Sequence, residues 1–188
     1  MRKLIVFNNI SIDGFFVDAQ GDMSWAHNTR PDAEWQAYVA GNAGGNGELV
    51  FGRKTYEMMA SFWPTPAAIE RMPSVAEGMN KSKKVVFSRT LSKADWNNTR
   101  LFADDLAGTV RKLKSESGDG MCILGSGEIV AQLAEAGLID ELHNVVTPNI
   151  LGGGRTMFEG ATRRVELDLV SSRPFVNGNV LTIYKPRK

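Results

Sequence analysis

The sequence predicts an α/β fold: a mixed, mainly parallel sheet with helices on both faces and antiparallel strands at its C-terminal end. Three observations predict it. First, short apolar runs without polar alternation occur at 4–7, 49–51, 85–87 and 121–124, as expected of strands buried on both faces. Second, helical patterns separate them. Leu106, Val110 and Leu113 share one helix face, as do Ile129, Val130, Leu133 and Ala134, with Gly137 placed to end that helix. Strand and helix in alternation imply parallel pairing. Third, the pattern changes after 164. Val165, Leu167 and Leu169 alternate with Glu166 and Asp168, and Asn177-Gly178 is a two-residue hairpin signal. The glycine-rich stretch 41–47 reads as a helix end followed by a mobile loop.

With 188 residues, 43% of them hydrophobic, the chain can bury one good core, so a single domain over 1–188 is expected. The net charge of +1 gives no bulk attraction to nucleic acid or to a membrane surface, so any affinity for anions must be local. The single cysteine, Cys122, excludes an intrachain disulfide and reads as a small buried hydrophobe. No run approaches the roughly 20 apolar residues of a membrane helix. The first apolar run stops at Asn8, which excludes a signal peptide, and a cytoplasmic location is expected.

Three strand-to-helix turns carry the chemistry. In the first, an apolar strand runs into Gly52, then Arg53, Lys54 and Thr55. Glycine lets backbone approach an anion, and a helix start offers unpaired N–H groups. The segment is not a nucleotide-triphosphate P-loop, because Arg53 stands where the lysine belongs and 49–51 is strand. In the second turn, Ser88 and Arg89 follow the strand at 85–87, a hydroxyl and a fork donor suited to a phosphate monoester. In the third, Gly125, Ser126 and Gly127 precede Glu128 and an amphipathic helix, and backbone amides there suit a pyrophosphate. Val130 replaces the third glycine of the Rossmann fingerprint. Taken singly, each turn also fits a generic strand–helix connection. Together they lie at carboxyl ends of parallel strands, where such sheets bind ligands.

Asp32 is the candidate acid. In a helix starting near Pro31 it shares a face with Trp35 and Val39, and a carboxylate on an apolar face has its pKa raised unless it is paired. The alternative is a helix-start box, Thr29-x-x-Asp32, in which the acid complements the helix N-terminus. Trp25 and Trp63 are placed either to stack a planar ligand or to pack. Gly152-Gly-Gly-Arg155 fits an anion loop or a flexible one. His27 and His143 lack metal spacing, and no metal is expected. No Gly-x-Ser-x-Gly elbow is present, since the nearest match at Ser126 lacks the first glycine.

The order Ser11-Ile-Asp-Gly-Phe-Phe, Phe51-Gly-Arg-Lys-Thr-Tyr-Glu, Phe87-Ser-Arg-Thr-Leu, Leu124-Gly-Ser-Gly, Leu138-Ile-Asp-Glu-Leu and Pro148-Asn-Ile-Leu-Gly-Gly-Gly-Arg resembles the dihydrofolate reductase-like superfamily over nearly the whole chain. It is most similar to the reductase domain of bifunctional riboflavin-biosynthesis deaminase-reductases, in stand-alone form. No zinc deaminase signature accompanies it. The resemblance implies NADPH as cofactor. It places Gly52, Arg53 and Thr55 at phosphate and ribose, Ser88 and Arg89 near the 2′-phosphate, and Gly125, Ser126, Gly127 and Glu128 at the pyrophosphate. Ile10, Asp13 and Gly14 fall beside the nicotinamide. It makes Asp32 the active-site acid three positions before Trp35, with Trp25 and Trp63 near the substrate. The implied activity is reduction of a pyrimidine- or pterin-like compound, most like 5-amino-6-(5-phosphoribosylamino)uracil reductase. The alternatives are a non-catalytic NADPH-binding module and a dihydrofolate reductase proper. A homodimer is expected on the same ground.

Overall fold

The computed structural model describes residues 1–27, 29–43 and 47–187, so the centre of the glycine-rich 41–47 loop lies outside the described residues. One sheet of eight strands has the spatial order β5-β4-β3-β6-β1-β7-β10-β9. These are β1 (Leu4–Ile10), β3 (Glu48–Gly52), β4 (Lys84–Phe87), β5 (Thr99–Phe102), β6 (Met121–Leu124), β7 (Glu141–Val146), β9 (Leu167–Pro174) and β10 (Val180–Pro186). The first six in spatial order are mutually parallel, and β10 pairs antiparallel with both β7 and β9. A two-stranded ribbon, β2 (Phe15–Asp18) with β8 (Gly154–Thr156), lies apart from that sheet.

The expected strands exist because their side chains are buried on both faces. In β3, Val50 joins one cluster with Val110 and Leu113 of α5 (Leu106–Ser115) and Ile129, Val130 and Leu133 of α6 (Gly127–Glu135). Its neighbours Leu49 and Phe51 join another with Tyr56 of α2 (Arg53–Phe62) and Met79 of α4 (Pro73–Lys81). The short α3 (Pro66–Arg71) is capped by Thr65, whose hydroxyl accepts from Ala68 N at 3.3 Å. On the second face α1 (Ala33–Ala43) sets Trp35 and Tyr38 against Phe7, Val145, Phe175 and Leu181. Gly137, at φ +66°, ends α6 as expected.

Two expectations change. The C-terminal hairpin is not a two-residue turn at Asn177-Gly178. The connection spans 175–179, closed by Phe175 N donating to Asn179 O at 2.8 Å, and Gly178 alone takes the left-handed conformation, φ +92°. The 152–155 segment is not a free loop throughout, because Gly154 and Arg155 pair with β2. Among the described residues no helix is long and apolar enough to cross a membrane.

Candidate functional site

The three predicted turns fall on neighbouring strands. Ser88, Gly52 and Gly125 follow or end β4, β3 and β6, which are adjacent in the sheet, and Ile10 ends β1 beside them. The central turn is the most constrained. Gly125 (φ +60°) and Ser126 (φ 59°, ψ 47°) are consecutive left-handed residues, a strained state for serine. Three contacts hold it there. Ser126 N donates to Thr55 Oγ1 at 3.1 Å, Gly52 N donates to Ser126 Oγ at 2.9 Å, and the Ser126 hydroxyl donates to Leu124 O at 3.2 Å. Glycine is required at both flanks. A Cβ on Gly125 would meet Thr55 Cγ2 at 2.9 Å, and one on Gly127 would meet the Phe16 ring at 2.9 Å. The turn thereby cross-links the starts of α2 and α6 and leaves the first α6 amides, at Gly127 and Glu128, without intrahelical acceptors. Glu128 itself is exposed. That is an anion-binding backbone arrangement.

Sequence reading missed the residue that fastens this turn. Asn8 is 2% exposed, accepts from Gly125 N at 2.6 Å and donates to Gly125 O at 3.1 Å. The available signal was the break in the β1 apolar run at Asn8 and Asn9, in a strand that continues to Ile10.

At the outer turn, Ser88 Oγ accepts from Thr90 N and Leu91 N, which shapes the loop. Arg89 is exposed. Arg53 is half committed, forming an i,i+4 pair with Glu57 at 2.9 Å. On the other flank, the carbonyl of Ile10 accepts from Thr147 N, and Gly14 turns the chain at φ +88°. The Asp13 carboxylate accepts from Leu151 N and Gly152 N, so it latches the 11–14 loop to the 149–152 loop. A hydrogen bond from Ser11 first, then those amides, hold its pKa at about 2. Asp13 therefore acts through loop geometry. Trp25, half-buried, sits at the same rim, where its carbonyl accepts from Asn149 Nδ2 at 3.0 Å.

Asp32 lies on this edge and serves the helix start, though as the residue that precedes and caps α1, not as the acid of a Thr29-x-x-Asp32 box. Oδ1 accepts from Trp35 N at 2.9 Å, and Oδ2 accepts from Asn177 N at 3.0 Å in the β9–β10 connection. The expected rise in pKa is therefore reversed: the Trp35 amide bond, followed in weight by an opposing burial effect and the Asn177 bond, leaves it below the usual carboxylate range. An ionised carboxylate with both oxygens engaged is an acceptor and no proton donor. Asp32→Asn is expected to lower the melting temperature, because an amide NH2 would face a backbone N–H. It should leave turnover within about twofold. Thermal unfolding and steady-state kinetics on the variant check both; a collapse of kcat at unchanged KM would return Asp32 to an acid role.

Trp63 also differs from expectation. It follows the last residue of α2, about 15 Å of helix away from the Gly52 turn. Its indole N–H reaches Met59 Sδ, and its carbonyl accepts from Asn80 at the end of α4. Trp63 is a packing residue. A cleft of about 1130 Å³ opens at the opposite, amino edge of the sheet, between Glu48, Arg100 and Arg2. Its charged walls are closed on themselves by Arg2–Glu48 and Arg100–Glu48 pairs at 2.9 and 2.8 Å. The open backbone amides lie at the carboxyl edge.

The family model described as the RibD C-terminal domain matches residues 2–181. The chain belongs to that family. A curated relative, the uncharacterized protein YyaP of Bacillus subtilis (strain 168), is 25% identical over 97% of this chain and 94% of its own length. Among solved structures, the Thermotoga maritima diaminohydroxyphosphoribosylaminopyrimidine deaminase/5-amino-6-(5-phosphoribosylamino)uracil reductase has a TM-score of 0.70 at 14% identity. It covers 99% of this chain and 57% of that one. The Enterococcus faecalis dihydrofolate reductase complexed with NADP(H) has a TM-score of 0.65 at 13% identity, over 99% and 97% of the chains. The RibD C-terminal domain described here therefore has the dihydrofolate reductase-like fold, and the predicted family and fold both stand.

Proposed function

We propose that the protein is an NADPH-dependent reductase of a pyrimidine- or pterin-like small molecule, most like 5-amino-6-(5-phosphoribosylamino)uracil reductase. The observation that carries this reading is the row of three turns at adjacent strand ends, with the strained Gly125-Ser126 corner at its centre. The residues fit the cofactor. The α6 amides at Gly127 and Glu128 suit a pyrophosphate, and the exposed Arg89 suits a terminal phosphate. When bound, NADPH supplies hydride, and the protein aligns donor and acceptor. Adding hydride to a C=N or C=O carbon requires one proton. With Asp32 capped and ionised, water is the donor this site admits.

Calorimetric titration with NADPH and NADH tests the reading. NADPH binding that is much tighter than NADH binding supports it, followed by NADPH oxidation on 5-amino-6-(5-phosphoribosylamino)uracil. Binding of neither dinucleotide overturns it. Arg89→Ala is expected to weaken NADPH at least about tenfold while barely affecting NADH, because only NADPH carries a 2′-phosphate. Equal losses for both cofactors would remove Arg89 from that role. The proposal includes a homodimer. Exposed Leu169 and Val170 on the outer strand β9 offer it an apolar edge, and sedimentation at micromolar concentration tests it.

A further inference from the structure

Just before its last residue, Ile10, strand β1 carries two adjacent asparagines that project to opposite faces of the sheet. Asn8 is engaged by Gly125. Asn9 is not: its Oδ1 is buried, and its side chain makes no hydrogen bond to a described residue. Buried amide oxygens almost always have a partner, and one without a partner needs a reason. Its location supplies one. Pairing of β1 with β6 ends at Phe7↔Leu124, because the chain of β6 turns away at Gly125. Asn9 therefore stands just beyond the last pair, where the sheet opens beside the central turn. On its other side it is in register with Val145 of β7. Parallel strands in register project the same way, and Val145 belongs to the cluster that packs with Trp35, Tyr38 and Phe175. The carboxamide thus projects to the α1 side of the sheet, one residue past the Asn8 clamp on the central turn. Asn144 also has an unpartnered Oδ1, yet it sits within β7, in register with Asn8 and on the opposite face.

We propose that Asn9 reads the substrate ring. Its carboxamide pairs edge-on with a planar heterocycle that carries an N–H beside a C=O, as pyrimidinediones do. Oδ1 accepts from the ring N–H, and Nδ2 donates to the ring carbonyl. This rests on the reductase reading, and it narrows the substrate to rings with that donor–acceptor edge. A ring alkylated at nitrogen is rejected, because the buried oxygen is then left unpaired against a methyl group.

The test uses 5,6-diaminouracil and its 1,3-dimethyl analogue, titrated into the full-length protein saturated with NADPH. The wild type is expected to bind 5,6-diaminouracil about tenfold more tightly than the dimethyl compound. Asn9→Leu should erase that ratio, keep NADPH affinity, and melt a few degrees higher because an unpaired buried oxygen is gone. Asn9→Ala should erase the ratio as well, whatever its stability. A ratio that survives in both variants overturns the proposal. So does a lower melting temperature for Asn9→Leu with the ratio intact, or failure of 5,6-diaminouracil to bind a wild type that does bind NADPH. Failure to bind NADPH at all overturns the reductase reading itself.

Discussion

Asn8→Leu is expected to destabilise the fold by about 3 kcal/mol and to weaken NADPH roughly a hundredfold. The two side chains have the same branching, but the leucine methyls are bulkier than the amide at this buried site, so overpacking adds to the loss of hydrogen bonds. Asn8 accepts from Gly125 N and donates to Gly125 O, and a leucine leaves both backbone groups buried and unpaired. Each such orphan costs on the order of 1–3 kcal/mol. The functional loss follows from strain. Gly125 and Ser126 both hold positive φ, and for serine that conformation persists only while its surroundings over-determine it. Removing the Asn8 clamp lets the corner relax and turns the α6 amides away from their common target. Denaturant unfolding and calorimetry on the same variant separate the two effects. A protein that is destabilised yet binds NADPH normally would show that the corner is held by Thr55 and Gly52 alone.

The parts of this fold that could be read from sequence are those where burial on two faces leaves a continuous apolar run. The core strands β3, β4 and β6 and the helices α5 and α6 were visible for that reason, and so was the Gly137 stop. Strand β5 was not, because in Thr99-Arg100-Leu101-Phe102 Arg100 is recruited to Glu48, so the run carries a charge. The β2–β8 ribbon was not, because β8 is Gly-Arg-Thr and its pairing depends on backbone approach. A Cβ on Gly154 would lie 2.0 Å from Val17 O.

The site divides in the same way. Glycines and the first helical residues marked the turns, since an anion cradle needs them locally. The partners that hold the cradle are distant in sequence, and Asn8 to Gly125 spans 117 positions. Asp32 was ambiguous for a further physical reason. A carboxylate at a helix start and one in a pocket share the same local pattern, and only the amide of Asn177, 145 residues away, distinguishes them.

Lys84→Met is expected to remove a rise in stability of roughly 3 kcal/mol at most between pH 8 and 10.5. Lys84 opens β4 and is fully buried, with its ammonium 4.2 Å from the centre of the Trp96 ring. It donates to Ser82 O at 2.7 Å, Asn97 O at 3.1 Å and Asn80 O at 3.4 Å, two of these at the end of α4. These carbonyls and the helix dipole favour the cation. Burial opposes them and pushes the ammonium down from 10.5 to about 8. The sign follows. Between those two values the unfolded chain binds a proton that the folded chain has released, so stability increases as pH rises. At about 1.36 kcal/mol per pH unit, the interval sets the ceiling given above. Comparison with Lys84→Met isolates this group, because every other titration is common to both proteins. Unfolding in urea at pH 7, 8, 9 and 10 gives the difference directly. A difference that stays flat across the series would mean that the three carbonyls and the Trp96 ring fully replace the lost water, and that the buried ammonium is held at no cost to the fold.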